Sequence, residues 1–269
     1  MVYQNLMTST ISVAIAFGII VLTRFIIHAM FKKNYVSVNE IEKEGNIAVA
    51  IRNGAIYLGI AIAMIGVIST PLTQLIDGLT AMIFVLIAVN ISDNVVFSKV
   101  NNSIEIGKNN MSLALAEGGL FIGTGIIAMA SFSGEGPYVS SIVFFLLGQI
   151  VLVLSTIIVE QMYKGIKDKI IDGNLSAGIL LGSVIIGLSF VLSSAVAGDF
   201  HGWKEDIISF LEYALFGYLL VLVFANKAID WIFLPTTKIK EQIENNNVSA
   251  IIVVSAIKVG IALLISNSL

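Results

Sequence analysis

The sequence predicts an all-α, polytopic integral membrane protein: eight transmembrane helices arranged as four parallel tandem hairpins in one transmembrane domain, 1–269. Three observations carry that expectation. Of 269 residues 57% are hydrophobic and 12% charged, with a mean hydropathy of +0.95, whereas soluble domains carry roughly 25% charged residues. Apolar runs of bilayer length, ~20 residues, recur along the whole chain and are separated by short polar stretches. Landmark residues also return at near-constant spacing, which indicates an internal repeat.

The expected spans are 7–29, 47–69, 75–97, 111–130, 139–161, 176–198, 207–233 and 248–265. No Lys or Arg precedes Arg24, so the first run lacks the positive region of a cleaved signal and is read as a retained helix. Pro71 and Pro137 stand just before the third and fifth spans and Pro235 just after the seventh, where a missing N–H costs little. Trp203 and Trp231 fall at predicted water interfaces, as amphipathic rings prefer.

Lys32, Lys33, Lys43, Lys99, Lys108, Lys164, Lys167, Lys169, Lys238 and Lys240 all lie in connections that follow odd-numbered spans, and the other connections hold only Lys204. The positive-inside bias places the first set in the cytoplasm. Both termini are then outside, in a multi-pass protein of the plasma membrane. The copies, 1–70, 71–134, 135–198 and 199–269, share one orientation, as parallel repeats about an axis along the membrane normal do.

Asn46, Asn110, Asn174 and Asn247 each precede an even span, and thirteen residues after each stands Gly59, Gly123, Gly187 or Gly260. The asparagines are most simply helix N-caps, accepting backbone N–H groups that hydrocarbon cannot satisfy. Before each cap lies a short charged segment, read as an interfacial helix. Positions +2 (Ala48, Ser112, Ser176, Ser249) and +9 (Ala55, Gly119, Ser183, Ala256) are small as well. At 100° per residue, +2, +9 and +13 fall within about 40° of one another, so each even helix has one small face. Small-xxx-small faces let helices approach where lipid supplies no drive for association, and the four glycines are expected in the principal seams.

These stretches carry a resemblance: Asn46-Ile-Ala-Val-Ala with Gly54 and Gly59, Asn110-Met-Ser-Leu-Ala with Gly118 and Gly123, Asn174-Leu-Ser-Ala-Gly with Gly182 and Gly187, and Asn247-Val-Ser-Ala with Gly260. A charged stretch followed by Asn, small residues and paired glycines resembles the bacterial membrane family catalogued as domain of unknown function 350. Two departures stand out: four hairpins where the family commonly has two, and Ser255 where the other copies have glycine. The resemblance implies membrane location and repeat architecture and carries no activity onto these residues.

Ionisable groups at membrane depth are the best functional pointers, because each costs at least ~2.5 kcal/mol at a helix centre unless partnered or wetted. Counted from the cytoplasmic asparagines at 1.5 Å per residue, Arg52 lies about 9 Å deep, Glu117 about 10 Å and Lys258 about 16 Å. Asn53 and Glu117 at +7 and Lys258 at +11 share a face opposite the small one, within about 40°. The expectation is an inner ring of even helices whose polar sides meet at a central pathway, with odd helices outside. Glu117, Lys258 and Asn53 form its polar core, Arg52 and Asp93 lie toward the cytoplasmic mouth, and Asn90, Asn94 and Gln149 are further candidates. The competing structural reading is that these charges simply pair.

Cysteine is absent and only His28 and His201 are present, so neither a metal site nor a cofactor is expected. A net charge of −3 offers no field for nucleic acid. No nucleophile elbow, zinc-helix motif or P-loop appears, so no enzyme is expected. The partners expected are the lipid bilayer, a small ion and a homo-oligomeric copy. Two functions remain: a small-ion or proton channel or transporter, and a non-transporting scaffold or sensor that presents charged cytoplasmic loops to a soluble partner.

Overall fold

The computed structural model describes residues 2–31, 45–67, 71–234 and 236–268. Eight long helices run through them: α1 (Val2–Phe31), α2 (Ile47–Ile65), α3 (Pro71–Ile91), α4 (Met111–Phe132), α5 (Tyr138–Met162), α6 (Leu175–Val196), α7 (Trp203–Phe233) and α8 (Val248–Ser268). Each holds a stretch long and apolar enough to cross a membrane, and no strand occurs among the described residues.

Boundaries differ where local chemistry intervenes. Helix α2 stops at Ile65 rather than 69. Helix α7 starts at Trp203, four residues early, with Glu205 and Asp206 in its first turn, where acidic groups favour the positive end of the helix dipole. Pro71 is the first residue of α3 and Pro137 is the N-cap of α5. Pro235 lies outside the described residues. Helix α3 ends in a π-helical turn, Ser92–Val96, and α7 contains two more, Tyr218–Phe224 and Ile229–Phe233.

The even helices form a row. Helix α2 packs on α4, α4 on α6 and α6 on α8, while α2 and α8 share no packed seam. This corrects the expected inner ring. The odd helices cover one side of the row: α3 lies over α2 and α4, α5 over α4 and α6, α7 over α6, and α1 over α3 and α2. Helix α4 is therefore the most enclosed, with 83% of its spanning stretch buried, and α8 at the end of the row has 28%.

One contact pattern serves all three seams. The +13 glycines Gly59, Gly123 and Gly187 meet, in turn, the carbonyl of Phe121, the side chains of Ile185 and Ser189, and Ala262. A Cβ added to Gly59 would stand 2.5 Å from that carbonyl. At +9 meeting +8, Ala55 touches Gly118, Gly119 lies on the Gly182 backbone, and the Ser183 hydroxyl is 2.9 Å from that of Ser255. The front of each even helix (+2, +5, +9, +13) thus lies on the back of the next (+4, +8, +11, +15). Front and back are about 135° apart around the helix axis rather than opposite. The row accordingly bends toward its uncovered side, where all four even helices line an apolar groove that includes Leu58, Ile122, Ile186 and Val259. Gly260 departs from expectation: among the described residues nothing lies within 4 Å of a Cβ added there, since its side of α8 faces away from α6.

The asparagines cap and clasp. Their side-chain oxygens accept from the N–H groups of Val49, Leu113, Ala177 and Ala250 at 3.0, 3.0, 2.9 and 3.3 Å. Short connector helices precede the caps: Asn102–Gly107, Ile166–Ile171 and Ile239–Glu244; the segment before Asn46 lies outside the described residues. The amide NH2 groups of the first three then reach the carbonyls that end the next copy's connector. Asn46 donates to Ile106 and Gly107, Asn110 to Ile170 and Ile171, and Asn174 to Ile243. Every cap is preceded by a left-handed residue, Gly45, Asn109, Gly173 or Asn246, a conformation that Gly and Asn tolerate. Where that residue is asparagine its side chain also works: Asn109 accepts from Ala48 N–H and Asn246 from Ser176 N–H.

Candidate functional site

The first half of the chain contains a buried charged cluster. Arg52 on α2, fully buried, reaches Glu117 on α4 with Nε to Oε2 at 2.9 Å, and Asp93 with Nη2 to Oδ1 at 2.9 Å. Glu117 is also fully buried and accepts from Ser92 Oγ at 2.8 Å and Asn102 Nδ2 at 2.7 Å. Arg52 Nη1 donates to Ser103 Oγ at 3.1 Å. Asp93 is the solvent-facing member, its side chain 29% exposed.

The π turn builds this geometry. Phe97 N–H reaches back five residues to Ser92 O at 3.0 Å, which widens the helix and turns Ser92 toward Glu117 and Asp93 toward Arg52. Such π bulges often mark functional sites. Asn102 and Ser103 come from the connector helix, so the cluster joins two membrane helices, a π turn and the segment that connects them.

With both carboxylates ionised the cluster carries a net charge of −1, and one bound proton makes it neutral. Two carboxylates sharing one cation form a coupled site in which a proton belongs to the pair rather than to either acid.

Lys258 stands apart. It is fully buried on the back of α8 against α6, and its ammonium donates to Asn226 Oδ1 on α7. Helix α6 lies between it and Glu117, so the shared central pathway expected of Glu117, Lys258 and Asn53 does not form. The polar side of the row faces the odd-helix layer, which supplies partners. Asn53 is 2% exposed, and neither polar atom of its side chain has a hydrogen-bond partner among the described residues. Asn90 and Asn94 are exposed and donate to carbonyls four residues earlier, and Gln149 accepts from Thr124 between α5 and α4. All three serve helix structure.

Comparison with known proteins bears on how the two halves relate. The family described as Domain of Unknown Function (DUF350) matches the chain twice, over residues 1–132 and 135–269. The chain belongs to this family. A curated relative, a UPF0719 transmembrane protein of Aquifex aeolicus (strain VF5), is 25% identical over 247 residues, covering 88% of this chain and 91% of its own. No solved structure matches.

The two DUF350 copies make the halves comparable. Asp93 and Asp230 are separated by 137 residues, as are Asn110 and Asn247, and each aspartate is the second residue of a π turn. Leu234 N–H bonds to Ile229 O at 3.0 Å as Phe97 does to Ser92. Only the first copy carries the cluster, because Val254 stands where the first copy has Glu117, and Asp230 accepts from the backbone of Ile239 instead. Asn226, Ser92, Asn102 and Ser103 were not among the candidates read from the sequence. Their signal was the repeat of Asp93 in Asp230, which points to the odd-helix ends as partners.

Proposed function

We propose that this DUF350 protein is a small-ion transporter of the plasma membrane and that the ion is the proton, handled at the Arg52–Asp93–Glu117 cluster. The carrying observation is Glu117: a carboxylate inside a membrane span, fully buried, and linked through Arg52 to the partly exposed Asp93. A hydrated ion has no access to a side chain that excluded from solvent. A proton needs only a chain of hydrogen bonds, and protonation of either acid redistributes the bonds of Arg52. The positive-inside bias supports cytoplasmic access at Asp93 and both termini outside. The reading has no catalytic step. Purified protein in liposomes is expected to dissipate a pH gradient, and Glu117→Gln to reduce that flux at least tenfold. Absence of flux from wild-type protein under a gradient removes the proposal.

One observation favours a second reading, a sensor that signals to a soluble partner. Asn102 and Ser103 tie the cytoplasmic connector directly to the buried charges, so a change in the cluster moves the connector. That reading expects charge reversal at Lys167 and Lys169 to abolish function in cells while flux is unaffected.

A further inference from the structure

Among the described residues the row of even helices has two uncovered ends, and they match. On α8 the front positions are Ser249, Ile252, Ala256 and Gly260; the first three are exposed and no neighbour approaches the fourth. On α2 the back positions are Ala50, Gly54, Tyr57 and Ala61, with Ala50 and Gly54 exposed and no atom within 4 Å of a Cβ added to Gly54. These are the two surfaces that meet at every interior seam, where front glycines and small residues lie on the back of the following helix. At the cytoplasmic end the sign is the same. Asn46, Asn110 and Asn174 clasp the following connector, whereas Asn247 turns its amide onto Gln242 of its own connector at 2.7 Å.

We infer that a second copy of this chain occupies these ends, the front of α8 in one molecule packing on the back of α2 in the other, head to tail, as a continuation of the three interior seams. The contact is heterologous: different surfaces meet, so each molecule offers one of each. The small residues let the backbones approach in lipid, where packing and interhelical hydrogen bonds hold helices together. The occupant is fixed by continuity. The interior seams pair +9 with +8 at Ala55 and Gly118, Gly119 and Gly182, and Ser183 and Ser255. The same rule pairs Ala256 of one molecule with Gly54 of the next.

The absence of cysteine makes cross-linking a clean test. Ala256→Cys and Gly54→Cys chains carrying different tags are co-expressed, and native membranes are treated with a mild oxidant. Ser183→Cys/Ser255→Cys in one chain is the control for an interior seam. The +9 and +8 positions of the α2–α4 seam bring Cβ atoms to about 3.2 Å, close enough for a disulfide. The expected result is a mixed-tag dimer on a non-reducing gel, with neither variant linking to itself when expressed alone. The +4 positions of the interior seams meet +2, as Gly178 meets Ser112, so Ala50→Cys is expected to link to Ser249→Cys of the next molecule; Gly54→Leu added to the Ala50→Cys chain, at a site with room for a side chain, is expected to lower that cross-linking at least fivefold while each chain still inserts and folds. Failure of the mixed pair to link while the interior control does, or self-linking of Ala256→Cys, overturns the head-to-tail contact.

Discussion

At the scale of single residues, the buried charges test what a membrane interior permits. Removing one partner of a buried ion pair leaves an uncompensated charge, which costs about 3–5 kcal/mol, whereas replacing the pair by apolar groups is often neutral or better. Glu117→Leu is therefore expected to destabilise the protein by about 3 kcal/mol, the low end because Asp93 still holds Arg52, and Arg52→Met added to it to restore much of the loss; unfolding in detergent measures both. The asparagines offer a graded comparison. Asn174→Ala removes a cap and the bond to Ile243, and is expected to cost about 2 kcal/mol. Asn247→Ala removes a longer cap bond and a contact within its own connector, and about 1 kcal/mol is expected in the same assay. The cap role was legible because an asparagine before an apolar run has few other uses. The clasp was not, since the carbonyl it meets lies about sixty residues ahead and only the connector's fold brings it there.

At the scale of helices, period and residue size revealed the small face but not which neighbour it meets. Gly59, Gly123 and Gly187 lie in seams as the +13 pattern implies, and Gly260 shares the pattern without the seam. Gly119→Ala places a methyl group against the Gly182 backbone and is expected to destabilise by about 2 kcal/mol. Gly260→Ala meets open space and is expected to stabilise the isolated chain by up to about 1 kcal/mol through helix propensity, with denaturant midpoints in detergent as the readout for both. The direction of the polar face needed the odd helices: in a repeat, polar positions on one side serve an inner ring or a covering layer equally well. The π turns at Ser92 and Ile229 left no trace in hydropathy, and the repeat of Asp93 in Asp230 was the one sequence signal that pointed to these ends of the odd helices. Between connectors, Lys99 and Asp168 are exposed and 2.6 Å apart, and the hydrogen bond and charge of Asp168 raise the Lys99 pKa. The stabilisation of such a pair is present below the ordinary lysine value and lost as pH rises through the raised one. Salt screens it, so Asp168→Asn is expected to leave the melting temperature unchanged in 150 mM salt and to lower it slightly near pH 7 only at low ionic strength.

At the scale of the molecule, the two family copies abut at the turn around 133–134, where α4 and α6 nonetheless share a glycine-lined seam. Residues 1–132 and 135–269 expressed as separate chains are therefore expected to copurify from membranes, and Asn110→Ala, which frees Ile170 and Ile171 from their clasp, to reduce the recovery severalfold. Eight spans and membrane residence were legible from composition and run length alone. The order of the row was not, because like faces give no address. The forward direction of the clasp has a consequence for biosynthesis. Asn46, Asn110 and Asn174 each enter the bilayer before the connector they will hold, so every newly made pair of spans finds a prepared edge on the pair inserted before it. Growth from the ribosome then needs no search among distant segments, and at any moment the open hydrogen-bonding edge is confined to the hairpin made last.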